Sequence, residues 1–407
     1  MGMPNKHDMN LLGDLVSIDT TTRDARNYEK VAKLIAEECE AIGAEVRFVR
    51  PRRSEIPDGK PRPNLIARLG DDDTKETLAL CAHFDALPAD READGWRTDP
   101  FELKTIRGKA FGRGTNDDKG GIAAILAAAS EAKNRMVNLE LFFTCDEEVG
   151  SKFGMAYVVN KERARIRSTS AVVIDADPHL LIGTSGGFGG TITIRGRGHH
   201  AGYPFLAKNP IDASLSIFDD LNAMNAHGVG ASRFPGLYID PSTKMPVEKP
   251  VGRRFSLTMM HAGNAGNNIP NELTAWFDLR VEPEGDMKDA LAEFESIFGA
   301  VKRKHGNHEV KIALEITHMM ANGRADPDSD IARAAKSILG TNKLYYAFVG
   351  NDSSWLNNAG IPSVSYGLAN DSAHQSNEYV SLAEFDRVKK FITGLIRQGT
   401  RVRQYAK

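Results

Sequence analysis

Four apolar stretches of this chain each run into groups that bind metals. His83 and Asp85 follow TLALCA, Glu147 and Glu148 follow LELFFTCD, Asp175 and Asp177 follow AVVI, and His374 lies beyond PSVSYG. Imidazole nitrogens and carboxylate oxygens are donors that zinc takes in hydrolytic sites, and the same carboxylates can move protons. In an open α/β sheet the ligand crevice lies outside the carboxyl ends of the strands, where residues distant in sequence converge. The pattern predicts an active site.

Each motif also has a plainer reading. In CAHFD one residue separates His83 from Asp85, so both face the same way at a strand end. They read as a ligating imidazole oriented by a carboxylate, or as an ordinary polar strand terminus. GRGTNDDKGG (112–121) lacks the dinucleotide fingerprint, because Asp117 stands where the third glycine belongs. Asp117 reads as a carboxylate bridging two metals at a helix N-terminus; capping of that helix by Asp117 or Asp118 is the alternative. Glu147 and Glu148 in TCDEEVGS read as a proton carrier beside a ligand, or as a solvated acidic turn. Pro178 puts Asp175 and Asp177 at a turn, where an aspartate often satisfies local backbone groups. His374 alone would be a surface histidine. All these groups falling at the same kind of place favours the chemical reading.

The elements that must position them can be read from the pattern. LALCAH (78–83), LELFFTC (139–145) and SAVVID (170–175) are near-continuous apolar runs, as expected of central strands covered on both faces. The Ala-rich helix GGIAAILAAASEAKNR (120–135) between two of them makes a βαβ unit. AEVRFV and NLIARLG are strand-like, after two amphipathic helical patterns that stop at Gly43. From Gly183 the character changes: GTSGGFGGTITIRG, IDASLSIFDDLNAM, RRFSLTMMHAG, ELTAWFDLRV, MKDALAEFESIFGAVKR and EVKIALEITH follow the order β-α-β-β-α-β of a ferredoxin-like module. Residues 184–317 are therefore expected to be an inserted domain, and 1–183 with 318–407 the metal-binding one. The last part returns through helix DSDIARAAKSILG, strands near KLYYAFVG and IPSVSYG, and a helix from Leu382.

Composition bounds the function. At 407 residues two domains are expected. A net charge of -2 gives no general field for nucleic acid or an anionic membrane, so the expected partner is a small molecule. Cys39, Cys81 and Cys145 are odd in number and set among apolar residues, which fits buried thiols in a reducing compartment. The N-terminus MGMPNKHDMN lacks an apolar signal core and has Lys6 where a myristoylation motif needs Ser or Thr, and no apolar run is long enough to span a bilayer. A soluble, cytoplasmic protein is expected.

Taken in order, H-x-D, G-R-G-x-x-D-x-K-G, D-E-E-x-G-S, an acid-Pro pair and A-H-x-x-N-E span about residues 83–378. This resembles the co-catalytic zinc metallopeptidase family of aminoacylase, acetylornithine deacetylase, succinyl-diaminopimelate desuccinylase and glutamate carboxypeptidase. The resemblance implies an α/β fold: a mixed, mostly parallel sheet covered by helices on both faces, zinc-peptidase-like, with an inserted ferredoxin-like α+β dimerisation domain. It implies two Zn2+ per subunit, replaceable by Co2+ or Mn2+, with His83, Asp117 and Asp177 on one ion and Asp117, Glu148 and His374 on the other. Asp85 would orient His83, and Glu147 would be the general base. Paired ions roughly 3.5–4 Å apart are a known hydrolytic device, and they acidify water. RGRGHHAGYP resembles the family's S-H-A-G segment, so His200 would stabilise the oxyanion of a partner subunit in a homodimer. His199 stands where a small residue is usual and remains the alternative. N-x-I-P and F-D-x-R segments nominate Asn267 and Arg280 as substrate contacts; the alternative for Arg280 is a strand-end salt bridge.

The implied activity is hydrolysis of an amide or peptide bond in a small N-acyl amino acid or peptide, of deacylase, desuccinylase or carboxypeptidase type. One departure points to a dipeptidase or aminopeptidase instead: the acid before the proline is Asp177, where family deacylases usually carry Glu. GNDSSW (350–355) also departs from the Gly-Gly-Thr-type segment often lining the pocket. A non-catalytic metal-binding scaffold is a rival of another class, which the intact Glu147 disfavours. A Ser-His-Asp hydrolase is disfavoured by the lack of a G-x-S-x-G elbow.

Overall fold

A computed structural model describes residues 4–227, 234–240, 242–243, 245–306 and 310–400. The chain forms two compact units. The first is built from the chain up to Gly183, Arg324–Tyr345 and the chain from Asn351. The second is Thr184–Gly323 with Tyr346–Gly350, against the 184–317 expected.

In the first unit the apolar runs are strands at Thr77–His83, Asn138–Thr144 and Ser170–Val173. Thr77–His83 lies between the other two and is parallel to both, and Ser363–Ser365 adds in parallel to Ser170–Val173. Toward one edge the pairing turns antiparallel, through Asn64–Leu69 and then Glu45–Val49. Alternation explains why the central runs are apolar throughout. Ala79, Cys81, Phe142 and Val173 pack with Met155, Val158 and Leu356 from helices Met155–Glu162 and Ser353–Asn358. The opposite face meets the Ala-rich helix Lys119–Glu131, buried from Lys119 to Ala129, which packs in turn on Leu382–Gln398. Cys39, Cys81 and Cys145 are buried and unpaired, as expected.

In the second unit, strands Gly186–Arg195, Arg254–Ala262, Glu272–Val281 and Lys311–Met320 make an antiparallel sheet. The order runs from Arg254–Ala262 through Glu272–Val281 and Gly186–Arg195 to Lys311–Met320. Helices Pro210–His227 and Met287–His305 complete the expected β-α-β-β-α-β sequence. Phe188, Ile192, Phe277 and Leu279 of the strands pack with Ile217 and Leu221 of the first helix and Phe294 and Phe298 of the second. The sequence reading missed a hairpin, Phe234–Ile239 with Pro246–Val251. Prolines punctuate both its strands and mask their pattern, and proline is tolerated at sheet edges. Among the described residues no helix is long and apolar enough to cross a membrane.

Candidate metal centre

Register brings the sequence motifs together. His83 pairs with Thr144 and Cys81 with Val173, so three parallel strands end at one level of the first unit, and the acids lie just beyond. His83 itself is only 1 % exposed. Its Nδ1 lies 3.0 Å from the carbonyl oxygen of Asp85 and 3.4 Å from the Asp85 carboxylate. That turns Nε2 toward Asp117, 2.9 Å from Oδ1. Asp117 Oδ2 lies 2.8 Å from Nε2 of the half-exposed His374, which is also 3.1 Å from Glu148. One carboxylate thus stands between two imidazoles and offers each a separate oxygen.

Asp85 has a further task that sequence spacing did not reveal. Its carboxylate accepts hydrogen bonds from the backbone N–H groups of Glu147 at 3.2 Å and Glu148 at 3.1 Å. It therefore fixes the short turn Glu147–Val149 that aims both acids. Left-handed backbone at Asp146 (φ 57°), Ser151 (φ 58°), His374 (φ 63°) and Asn377 (φ 60°) marks the same loops, a conformation that non-glycine residues hold where the surroundings enforce it.

Potential donor atoms gather in two groups, His83 with Glu147 and Asp175, and Asp117 with Glu148 and His374, each within 4.8 Å. Asp177 stands outside both, contrary to expectation. It lies in the turn after the strand, where Oδ1 accepts from the backbone N–H of His179 at 3.0 Å and sits 2.9 Å from the His179 ring. This is the local turn satisfaction that aspartate side chains favour. Asp175 comes into the cluster because the strand path continues to it: Ile174 N–H donates to Cys81 O, and Asn351 Nδ2 donates to Asp175 O at 2.7 Å. Asp352, next to Asn351, accepts from Thr144 and Ser151 hydroxyls beneath the acids. The unusual GNDSSW segment is thus a buttress of the site.

Helix capping is not what Asp117 and Asp118 do. Helix Lys119–Glu131 has no side-chain cap, and Asp118 instead accepts from His83 N–H at 3.4 Å. The peptide joining the two aspartates is cis. Gly121 is required by close approach, since a Cβ there would lie 2.1 Å from Asp118 Oδ1. Glu378 is a residue the sequence reading left unassigned. Fully buried, it accepts from Arg113 Nη1 at 2.8 Å and from the N–H groups of Gly114, Asn116 and Asp117 at 3.0, 3.0 and 3.2 Å. Its place in A-H-x-x-N-E was the available signal.

Electrostatics fit a cation. Burial, then Asp175, raises the Glu147 carboxyl well above its usual range; burial, then Asp117, raises Asp175 to about 7 and also raises Glu148. Three crowded acids hold their negative charge at a cost, which bound cations would offset. The groups contain nitrogen and oxygen donors and no thiol, a set that suits zinc, cobalt or manganese.

His200, Asn267 and Arg280 lie in the second unit. His200 sits in a short strand paired with Asn268–Ile269, exposed, its Nδ1 accepting from Gly202 N–H at 3.0 Å. Asn267 is also exposed, and its carbonyl takes the Ala201 N–H at 2.9 Å. His199 has a buried, unpartnered Nδ1. Arg280 makes the salt bridge expected of its plainer reading, 2.7 Å from Nε to Asp278.

An α/β sheet whose strand ends gather two imidazoles and a set of acids around one shared carboxylate is the architecture of a hydrolase that acts on amide or peptide bonds. The chain belongs to peptidase family M20/M25/M40, whose model matches residues 79–398. It is 26 % identical over 332 residues to succinyl-diaminopimelate desuccinylase of a Nitratiruptor species, covering 79 % of this chain and 84 % of that relative. In fold it is similar to an M20 family metallo-carboxypeptidase of Sulfolobus solfataricus, with TM-score 0.77 and 16 % identity over 97 % of this chain and 99 % of that one. It is likewise similar to a dipeptidase of Saccharomyces cerevisiae, with TM-score 0.75 and 19 % identity over 98 % and 96 %.

Proposed function

We propose that this protein is a dinuclear zinc-dependent hydrolase that cleaves the amide bond of a small N-acyl amino acid or peptide. The observation that carries the reading is Asp117, whose two carboxylate oxygens face His83 and His374 separately. His83, Asp117 and Asp175 would hold one ion, and Asp117, Glu148 and His374 the other. Such ions polarise the scissile carbonyl and acidify the attacking water. Glu147 is the general base: buried and with its carboxyl raised, it takes a proton from water and passes it to the departing amine. The carbonyl of Asp85 holds His83 by Nδ1, and the Asp85 carboxylate holds the turn of Glu147 and Glu148.

The second unit supplies the substrate contacts Asn267 and Arg280 and the oxyanion histidine, His200. In the homodimer this reading calls for, His200 serves the partner subunit's site, with His199 as the alternative donor. Mixing His200→Ala with Glu147→Ala chains then restores activity, because a heterodimer has one complete site. The protein works as a cytoplasmic enzyme on a small substrate, without nucleic acid or membrane. Desuccinylases among the sequence relatives support a deacylase. A dipeptidase or aminopeptidase is the second reading, favoured by aspartate rather than glutamate at Asp177 of the acid-Pro pair.

The test is a hydrolysis screen of zinc-loaded protein on N-acetyl and N-succinyl amino acids, dipeptides and glutamate-capped peptides. Cleavage that a chelator abolishes and zinc, cobalt or manganese restores supports the proposal. Full activity in metal-free protein, verified by elemental analysis, rejects it.

A further inference from the structure

The turn that carries Glu147 and Glu148 is held on one side by Asp85 and on another by a segment outside every sequence motif of the site. Lys60-Pro61-Arg62-Pro63 leads into the strand that starts at Asn64. Proline fixes its own φ and steers the residue before it toward extended backbone, so Pro61 and Pro63 make this lead-in stiff. Asn64 is fully buried and grips the acid loop at two points. Its Oδ1 accepts the Cys145 N–H at 3.1 Å, and its Nδ2 donates to Phe153 O at 2.8 Å.

Arg62 takes hold of Asp146, the residue just before Glu147. Its Nε donates to Asp146 Oδ2 at 2.7 Å, with the two side chains only 10 % and 5 % exposed. Asp146 starts the acid turn: its carbonyl accepts the Val149 N–H at 3.4 Å and the Ser151 N–H at 2.6 Å, and its backbone is left-handed. The guanidinium is itself fixed by Asp58 at 3.0 Å and Lys60 O at 3.2 Å. It also lies 5.5 Å from the Tyr28 ring, which meets Phe84 edge-on with centroids 5.5 Å apart. Phe84 stands between His83 and Asp85. One guanidinium therefore bears on both the strand end of His83 and the turn of Glu147. A carboxylate this far from water is costly unless paired, and a charge-assisted bond to a planar guanidinium sets direction as well as energy.

We propose that Arg62 is a positioning residue that, through Asp146, aims Glu147 at the reacting water. This rests on the reading of Glu147 as the general base. Glu148 has a further anchor in His374, 3.1 Å away, whereas the turn sets the direction of Glu147. Loosening the clamp therefore costs rate before it costs metal.

The experiment uses zinc-saturated wild type, Arg62→Met, Arg62→Lys, Asp146→Asn and the Arg62→Met/Asp146→Asn double variant, on the substrate that the hydrolysis screen shows to be cleaved fastest. Methionine keeps an apolar stem over Tyr28 without the charge, and asparagine tolerates left-handed backbone. Arg62→Met should lower kcat roughly 10- to 100-fold with KM little changed, and zinc affinity, measured by chelator competition, should fall less than kcat. Arg62→Lys should recover part of the rate. Asp146→Asn should lose kcat as well, and the double variant should be no slower than the slower single one, because the pair acts as a unit. Unchanged kcat in Arg62→Met, a loss carried by KM or by zinc, or losses that multiply in the double variant overturn the proposal. Should Arg62→Met not fold, Asp146→Asn decides, and wild-type kcat there overturns it. Should the hydrolase reading itself fail and nothing be cleaved, hydrogen exchange of the Glu147–Ser151 amides decides. Exchange roughly tenfold faster in Arg62→Met, confined to that turn, upholds the clamp, and equal rates refute it.

Discussion

The carboxylate of Glu378 accepts the backbone N–H of Asp117 at 3.2 Å, while its other contacts hold Arg113, Gly114 and Asn116. Because Glu378 follows His374 by four residues, it ties the loop carrying one imidazole to the loop carrying the shared carboxylate. Glu378→Gln places an amide N–H2 among donors that need acceptors. Metal affinity should fall about 10- to 100-fold, as for other groups that orient ligands, and competition with a chromogenic chelator measures it. Unchanged affinity together with normal kcat would remove Glu378 from the site's support.

Asp175 and Asp177 are separated by a direct comparison. Asp175→Asn should lose metal and most activity, whereas Asp177→Asn loses only a turn hydrogen bond and should cost about 1 kcal/mol or less of stability. Elemental analysis and thermal unfolding of both variants give the answer; metal loss in Asp177→Asn alone would restore the sequence-based expectation.

For Glu147 the expected signature is a split between binding and rate. Glu147→Ala should keep both metals while kcat falls by about 10² to 10⁴, and His374→Ala should lose metal as well. Metal loss in Glu147→Ala would make Glu147 a ligand, in keeping with its place in the His83 group.

Stability of metal-stripped protein should decline as pH rises. Bonds to Asp117, then Glu148, raise His374 from 6.5 to about 10, so its contribution is full below 6.5 and disappears through 10. Burial, then Asp117, raises Asp175 from 3.8 to about 7, so the folded state again holds the extra proton and loses stability across that window. Both groups have the same sign. Unfolding temperatures of stripped protein should therefore drop between about pH 5 and pH 7, below the range where buried Lys119, lowered to about 7, contributes with the opposite sign, and zinc should flatten the trend, since the ligands bind deprotonated. A rise over that range would contradict the assigned environments.

Strand ends, the βαβ unit, the β-α-β-β-α-β order and the groups His83, Asp117, Glu147, Glu148 and His374 were all legible in one dimension. Burial on both faces writes itself as continuous apolar runs, and a metal site at strand ends writes itself as donors just past them. Two things were not legible. The acid-Pro pair singled out Asp177, whereas the hydrogen bond from Asn351, far along the chain, and the turn that engages Asp177 with His179 leave Asp175 beside His83 and Glu147. The clasp of Glu378 was hidden for the same reason: it depends on partners set by loop packing, information that composition and local periodicity do not carry.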